Sequence, residues 1–228
     1  MRNITIITCS LLATLSMYGQ DQHSRPLVPP VNPVQPVINI LKESKTSGSL
    51  EFFGKCESFV YPGFPDFPRM ADSPVVGSPV QKLRSIFSDD PPMQVRQVSD
   101  GSIQMLEENI PQDILDIKIG NISFGNNKFR GLNNPNGALN LVLFSREVQD
   151  FVTLHSIDFP YHASMASGMF GGIPDPALPH ISTEFHNVTV KFLLNQIAKT
   201  FQNLWIYENC PAREGRPRVV YIRFYQPR

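Results

Sequence analysis

The sequence predicts an α+β protein built from two small βαββ-type modules (strand, helix, strand, strand), joined by a helical connection and long Pro/Gly-rich loops. Three observations point there. Val190, Leu193, Leu194, Ile197 and Phe201 fall at i, i+3, i+4, i+7 and i+11, the spacing of one buried helical face, with Lys191, Asn195, Lys199 and Gln202 largely opposite. Short alternating or β-branched runs flank helical patterns in the same order twice along the chain. Twenty-one prolines and fourteen glycines in 228 residues require much irregular chain between these elements.

Composition narrows the class. A hydrophobic fraction of 41% is ordinary for a folded core. The formal net charge is zero, so the broad basic field of a nucleic-acid binder is missing and no nucleic-acid partner is expected. Arg213, Arg216, Arg218, Arg223 and Arg228 cluster late and read as a solvated hairpin and tail.

Taken in order, residues 1–19 read as an export signal. Arg2 gives a positive start, and residues 4–18 form an apolar run shorter than the roughly 20 residues of a membrane span. Cleavage is expected after Ser16 or Gly19, which discards Cys9 and leaves no membrane span. A periplasmic or secreted location follows. Two cysteines remain, Cys56 and Cys210, and in an oxidising compartment an even count favours pairing. A bridge between them would restrain most of the mature chain, worth about 4 to 5 kcal/mol in the chain-entropy model. Free thiols or intermolecular pairing are the alternatives.

Residues 20–47 form a leader with Pro26, Pro29, Pro30, Pro33 and Pro36, expected to be extended because proline fixes φ and removes amide donors. Within it, residues 37–41 suit a strand or a short helical turn. The first α+β module spans 48–124. Residues 50–56 read as a strand, and 61–68 as an ordered loop whose rings cover a core edge or form a ligand platform. Ser78-Pro79 starts a helix with Val80, Leu83, Ile86 and Phe87 inward. Residues 93–98 and 102–106 form a hairpin turned at Asp100-Gly101. Leu115, Ile117 and Ile119 begin a half-buried strand running on to Phe124.

Residues 125–180 connect the modules. A polar loop at 125–137 precedes helical runs at 138–144 and after Ser145, the second with Val148, Phe151, Val152 and His155 on one face. Residues 157–159 return to strand. Residues 160–179, with Met165, Met169 and Phe170, form a long loop that docks on the body or serves as an adaptable contact. The second module spans 181–228: an alternating strand through Ile181, Thr183 and Phe185, Thr189 as N-cap of the principal helix, a strand around Trp205, and a strand at 219–225.

The phrase Phe185-His186-Asn187-Val188-Thr189-Val190, running into Phe192-Leu193-Leu194-Asn195-Gln196-Ile197-Ala198 and then Leu204-Trp205-Ile206-Tyr207, resembles the short N-terminal domains of secretins and TonB-dependent outer-membrane receptors. Ser78-Pro79-Val80-Gln81-Lys82-Leu83 leading to Met93-Gln94-Val95 is a second, weaker match, so the resemblance covers about half the mature chain as two degenerate copies. It implies a periplasmic module that binds other envelope proteins. The secretin pore region and the receptor barrel have no counterpart in the sequence.

Reactive constellations are scarce. His155, His162, His180 and His186 share a short window with Asp158 and Asp175, so a metal-dependent hydrolase using His155, His162, His180 and Asp158 is the alternative to a non-enzymatic interaction module. None of these has a metal-ligand spacing such as HExxH, and no Gly-x-Ser-x-Gly elbow or phosphate-cradling glycine motif occurs. No cofactor is expected.

Overall fold

The computed structural model describes residues 34–54, 67–68, 70, 76–87, 93–124, 135–159, 179, 181 and 184–225, all within the compact unit Asn32–Arg228. The expected signal at 1–19, Cys56, the prolines of 160–176 and most of the 61–68 loop lie outside the described residues. The class is α+β, with a mixed sheet.

Helix α1 (Gln35–Glu43) is the first departure from expectation, because it occupies the end of the proline-rich leader. Pro36 sits in its first turn, where the missing amide costs no hydrogen bond. Val34, Val37, Ile38 and Leu41 then recur at helical spacing and are buried. Strand β1 (Gly48–Phe53) follows. Helix α2 (Pro79–Ile86) begins at a capping box: the Ser78 hydroxyl accepts from the Gln81 amide, and the Gln81 side chain accepts from the Ser78 amide. Strands β2 (Met93–Gln97) and β3 (Ile103–Glu107) form the expected hairpin, with Gly101 at φ 87° in the turn.

Residues 113–116 form a turn, so the strand expected from Leu115 starts only at Lys118, as β4 (Lys118–Ser123). Helix α3 (Pro135–Leu143) opens at Pro135, inside the expected polar loop. Helix α4 (Arg146–Leu154) has Ser145 at its N-cap position, but that hydroxyl makes no capping bond. Residues 157–159 contribute only an isolated bridge, Asp158 to Val219. Strand β5 (Glu184–Thr189) leads into helix α5 (Val190–Phe201), capped by Thr189 Oγ1, which accepts from the Phe192 amide at 3.1 Å. Gln202, at φ 52°, ends α5 in the left-handed conformation. Strands β6 (Leu204–Cys210) and β7 (Val219–Tyr225) close the chain as a hairpin.

The two expected modules do not close as separate sheets. β1 pairs in parallel with both β3 and β6, giving one five-stranded sheet in the order β2-β3-β1-β6-β7, while β5 leaves to pair antiparallel with β4. β1 pairs with β6 over six residues, from Gly48 opposite Leu204 to Phe53 opposite Asn209.

Side chains alternate across the sheet, so each face builds its own core. Leu50, Phe52, Ile103, Met105, Leu204 and Ile206 pack with α1 and α2. Phe67 closes one edge of that core, its ring 5.7 Å from Phe52 and 6.0 Å from Tyr225. Trp205, Tyr207, Val220 and Ile222 face the other way, into a core shared with α3, α4, α5 and Ile119 of β4. On α5, Val190, Leu193, Leu194 and Ile197 are buried, as the spacing predicts, together with Ala198, whereas Phe201, expected on the same face, is half-buried. Each fully buried Leu or Ile contributes about 1.5–3 kcal/mol.

Candidate functional site

The α5-facing side of the sheet changes character along its width. Around Trp205 of β6 and Val220 and Ile222 of β7 it is apolar, but over β1 and at β3 it carries Ser49, Glu51, Ser102 and Gln104, all more than nine-tenths buried. Glu51, 0% exposed, is the centre of this region. It accepts from Ser49 Oγ at 3.2 Å, Gln104 Nε2 at 2.7 Å, Gln112 Nε2 at 2.8 Å and Lys191 Nζ at 3.0 Å. Lys191, in the first turn of α5, also donates to Gln112 Oε1 at 2.7 Å. Arg96 donates twice to Gln104 Oε1, at 3.0 and 2.8 Å, which orients that amide so that its NH2 group meets Glu51. Four donors nearly fill the capacity of one carboxylate, so Glu51 is held as a charge partner and is poorly placed to act as a base.

A second polar cluster lies on the same face near the end of β6. Arg218 donates through Nε to Asn209 Oδ1 at 2.6 Å, through both terminal nitrogens to the Asp113 carboxylate, and through Nη2 to Tyr207 OH at 3.0 Å. Hydrogen bonds from Arg218 hold the Asp113 carboxyl below its ordinary range despite partial burial. Asp113 in turn raises the Arg218 guanidinium, and burial pushes the Tyr207 phenol upward. Arg218 is therefore not part of a solvated arginine tail: its side chain is 18% exposed and ties the β6–β7 hairpin to the 113–116 turn.

Between the β2–β3 turn and α5 lies a cleft of about 260 Å³. Ser49, Ser102 and Gln104 line its sheet side, Asp100 its turn side, and Lys191, Phe192, Asn195 and Gln196 its helix side. Burial alone would raise Asp100, but the Ser102 hydroxyl and amide both donate to its Oδ1, and with Lys199 nearby they hold the carboxyl below its ordinary range. Trp205 Nε1 donates to Asn195 Oδ1 at 2.8 Å.

No family model, curated protein or solved structure matches the chain. The site is therefore read from its own chemistry.

The histidine window does not assemble among the described residues. His155 is exposed as the C-cap of α4, its ring 4.2 Å from Phe151, whereas the spacing placed it on a buried face; helix α4 ends before its side chain can turn inward. His186 is exposed on β5, with Nδ1 2.6 Å from Asn121 Oδ1 and Nε2 3.9 Å from Glu184. Asp158 is half-buried, its backbone bonded to Arg218 and Val220, and His162 and His180 lie outside the described residues. Among the described residues, no three His, Cys, Asp or Glu side chains gather to hold a metal. Cys210 is buried at the end of β6 and disulfide-bonded; its expected partner Cys56 lies outside the described residues.

Glu51, Gln104, Gln112 and Lys191 did not stand out in the sequence. The available signal was a lone acid inside the apolar run Leu50-Glu51-Phe52-Phe53, which on a central strand requires a buried partner. That the partner is Lys191 depends on α5 crossing β1.

Proposed function

We propose that this chain is an exported, non-enzymatic interaction module of the periplasm or cell surface, binding an extended segment of another envelope protein by strand addition at β5. The observation that carries the reading is the treatment of strand edges. On β2, the Arg84 side chain donates twice to the Val95 carbonyl, at 3.1 and 3.0 Å. On β4, the Glu147 carboxylate accepts from the Gly120 amide at 2.9 Å. On β7, Asp158 covers the start of the strand through backbone bonds to Arg218 and Val220. β5 pairs with β4 alone and has no such cap among the described residues. Uncapped backbone donors and acceptors are a template for an added strand. Half-exposed Phe192, ring to ring with Phe185 at 5.8 Å, gives an apolar anchor beside that edge.

The resemblance to the N-terminal modules of secretins and TonB-dependent receptors favours the same reading, since those modules act by contacting envelope partners. The test is site-specific photocrosslinking of the full chain in its native envelope, with the probe at His186 on β5 or at Gln94 on capped β2. Crosslinks to a defined partner from position 186, absent from 94, are expected. Equal crosslinking from both positions, or a cytoplasmic location on fractionation, would overturn the proposal.

A further inference from the structure

The cleft between the β2–β3 turn and α5 shares only Phe192 with the strand-addition reading. Its floor is a patch of buried polar groups on a sheet face that is apolar around Trp205, Val220 and Ile222. Ser49 and Gln104 donate to Glu51 and Ser102 donates to Asp100, so hydrogen bonds offset the burial of these groups. The next row down is polar as well. Register places Ser47 between Asn203 and Ser102, and the Asn203 side chain, 2% exposed, has no hydrogen-bond partner for either polar atom among the described residues.

We infer that this cleft binds a small, uncharged, polyhydroxylated molecule of monosaccharide size. Four properties select that class. The volume, about 260 Å³, is below that of drug-sized pockets, about 300–1,000 Å³. The charges cancel: Lys191 is matched by Glu51, and Asp100 has Lys199 nearby, so neither a phosphate nor an ammonium group finds an unopposed ion. The lining still mixes donors and acceptors: the Ser49 and Ser102 oxygens, whose protons go to Glu51 and Asp100, can accept, the Asn195 NH2 and the Gln196 amide can donate, and Asp100 keeps its second oxygen free of the Ser102 bonds. Hydroxyl groups both donate and accept, which such a lining satisfies. Phe192, 41% exposed at the helix wall, offers a flat apolar surface for the C–H face of a ring.

The test is a protein-observed NMR titration of the full chain, with D-glucose, N-acetyl-D-glucosamine and D-mannitol as neutral probes, and inorganic phosphate and glycine as charged ones. Saturable shifts confined to the signals of Ser102, Gln104, Asn195 and Gln196 are expected with at least one neutral probe and with neither charged one. Gln196→Ala should weaken that binding at least fivefold, while the unfolding midpoint stays unchanged. Asp100→Asn, which keeps an acceptor for Ser102, should weaken it without loss of fold. No saturable shift with any neutral probe, shifts scattered over the surface, or saturable binding of phosphate or glycine would each overturn the inference.

Discussion

Replacing Lys191 with methionine isolates the ion pair that ties α5 to the central strand. Methionine keeps the aliphatic stem and the packing beside Phe192 but removes the ammonium, leaving the Glu51 carboxylate at 0% exposure with three neutral donors in place of four. Removing one partner of a buried pair costs about 3–5 kcal/mol, and because Ser49, Gln104 and Gln112 stay in place, the low end, about 3 kcal/mol, is expected. Trp205 is the sole tryptophan and is fully buried, so its fluorescence reports urea unfolding directly. With a slope of about 1–3 kcal/mol per molar urea, the midpoint should fall by about 1 M or more. Adding Glu51→Gln to Lys191→Met should recover much of the loss, because a neutral amide needs no ionic partner. The double-mutant cycle should return a coupling of about 2 kcal/mol. A single-variant cost below about 1 kcal/mol, the level of an exposed surface pair, would refute the assignment of Glu51–Lys191 as a buried, structure-determining contact.

Gly54→Ala should destabilise the chain by about 1–3 kcal/mol in the same urea assay, because an added Cβ would come within 3.0 Å of three atoms of the buried Glu208 side chain. A neutral result would mean that Glu208 moves aside freely. Asp113 contributes stability that is present above the ordinary carboxylate value of 3.8 and is lost as pH falls through its lowered folded value. Asp113→Asn should accordingly flatten the acid limb of the thermal midpoint against pH, and an unchanged limb would remove Asp113 from the account. Ser78→Ala should cost about 0.5–2 kcal/mol by opening the capping box of α2, read from the thermal midpoint. Alkylation of the denatured, unreduced chain should leave Cys210 unlabelled, and peptide mapping should show Cys56 as its partner; a labelled Cys210 would end the expected pairing.

The elements that depend on neighbours in sequence were legible. The face of α5, its Thr189 cap, the Ser78 start of α2 and the Asp100-Gly101 turn each follow from residues within a few positions of one another. What was hidden depends on distant pairing. The parallel ladder joining β1 to β6 merges two similar local patterns into one sheet, and no local signal distinguishes that from two separate sheets. α1 was obscured because proline suits both an extended chain and the first turn of a helix, and the choice fell to burial of Val37, Ile38 and Leu41. The polar floor was hidden for a related reason. Ser49, Glu51 and Gln104 read as the solvent side of alternating strands until α5 is laid across them.

The placement of β1 also bears on how the chain matures. Its two sheet neighbours arrive at very different times during synthesis, β3 soon after it and β6 only near the end. Until the last strands emerge, the middle of the future sheet is a bare edge, and ordering it requires closing a loop that spans most of the chain, a step that favours slow folding. Until β6 pairs with it, the open side of β1 is exposed to wrong strand pairings, so misassembly is favoured before the ladder closes.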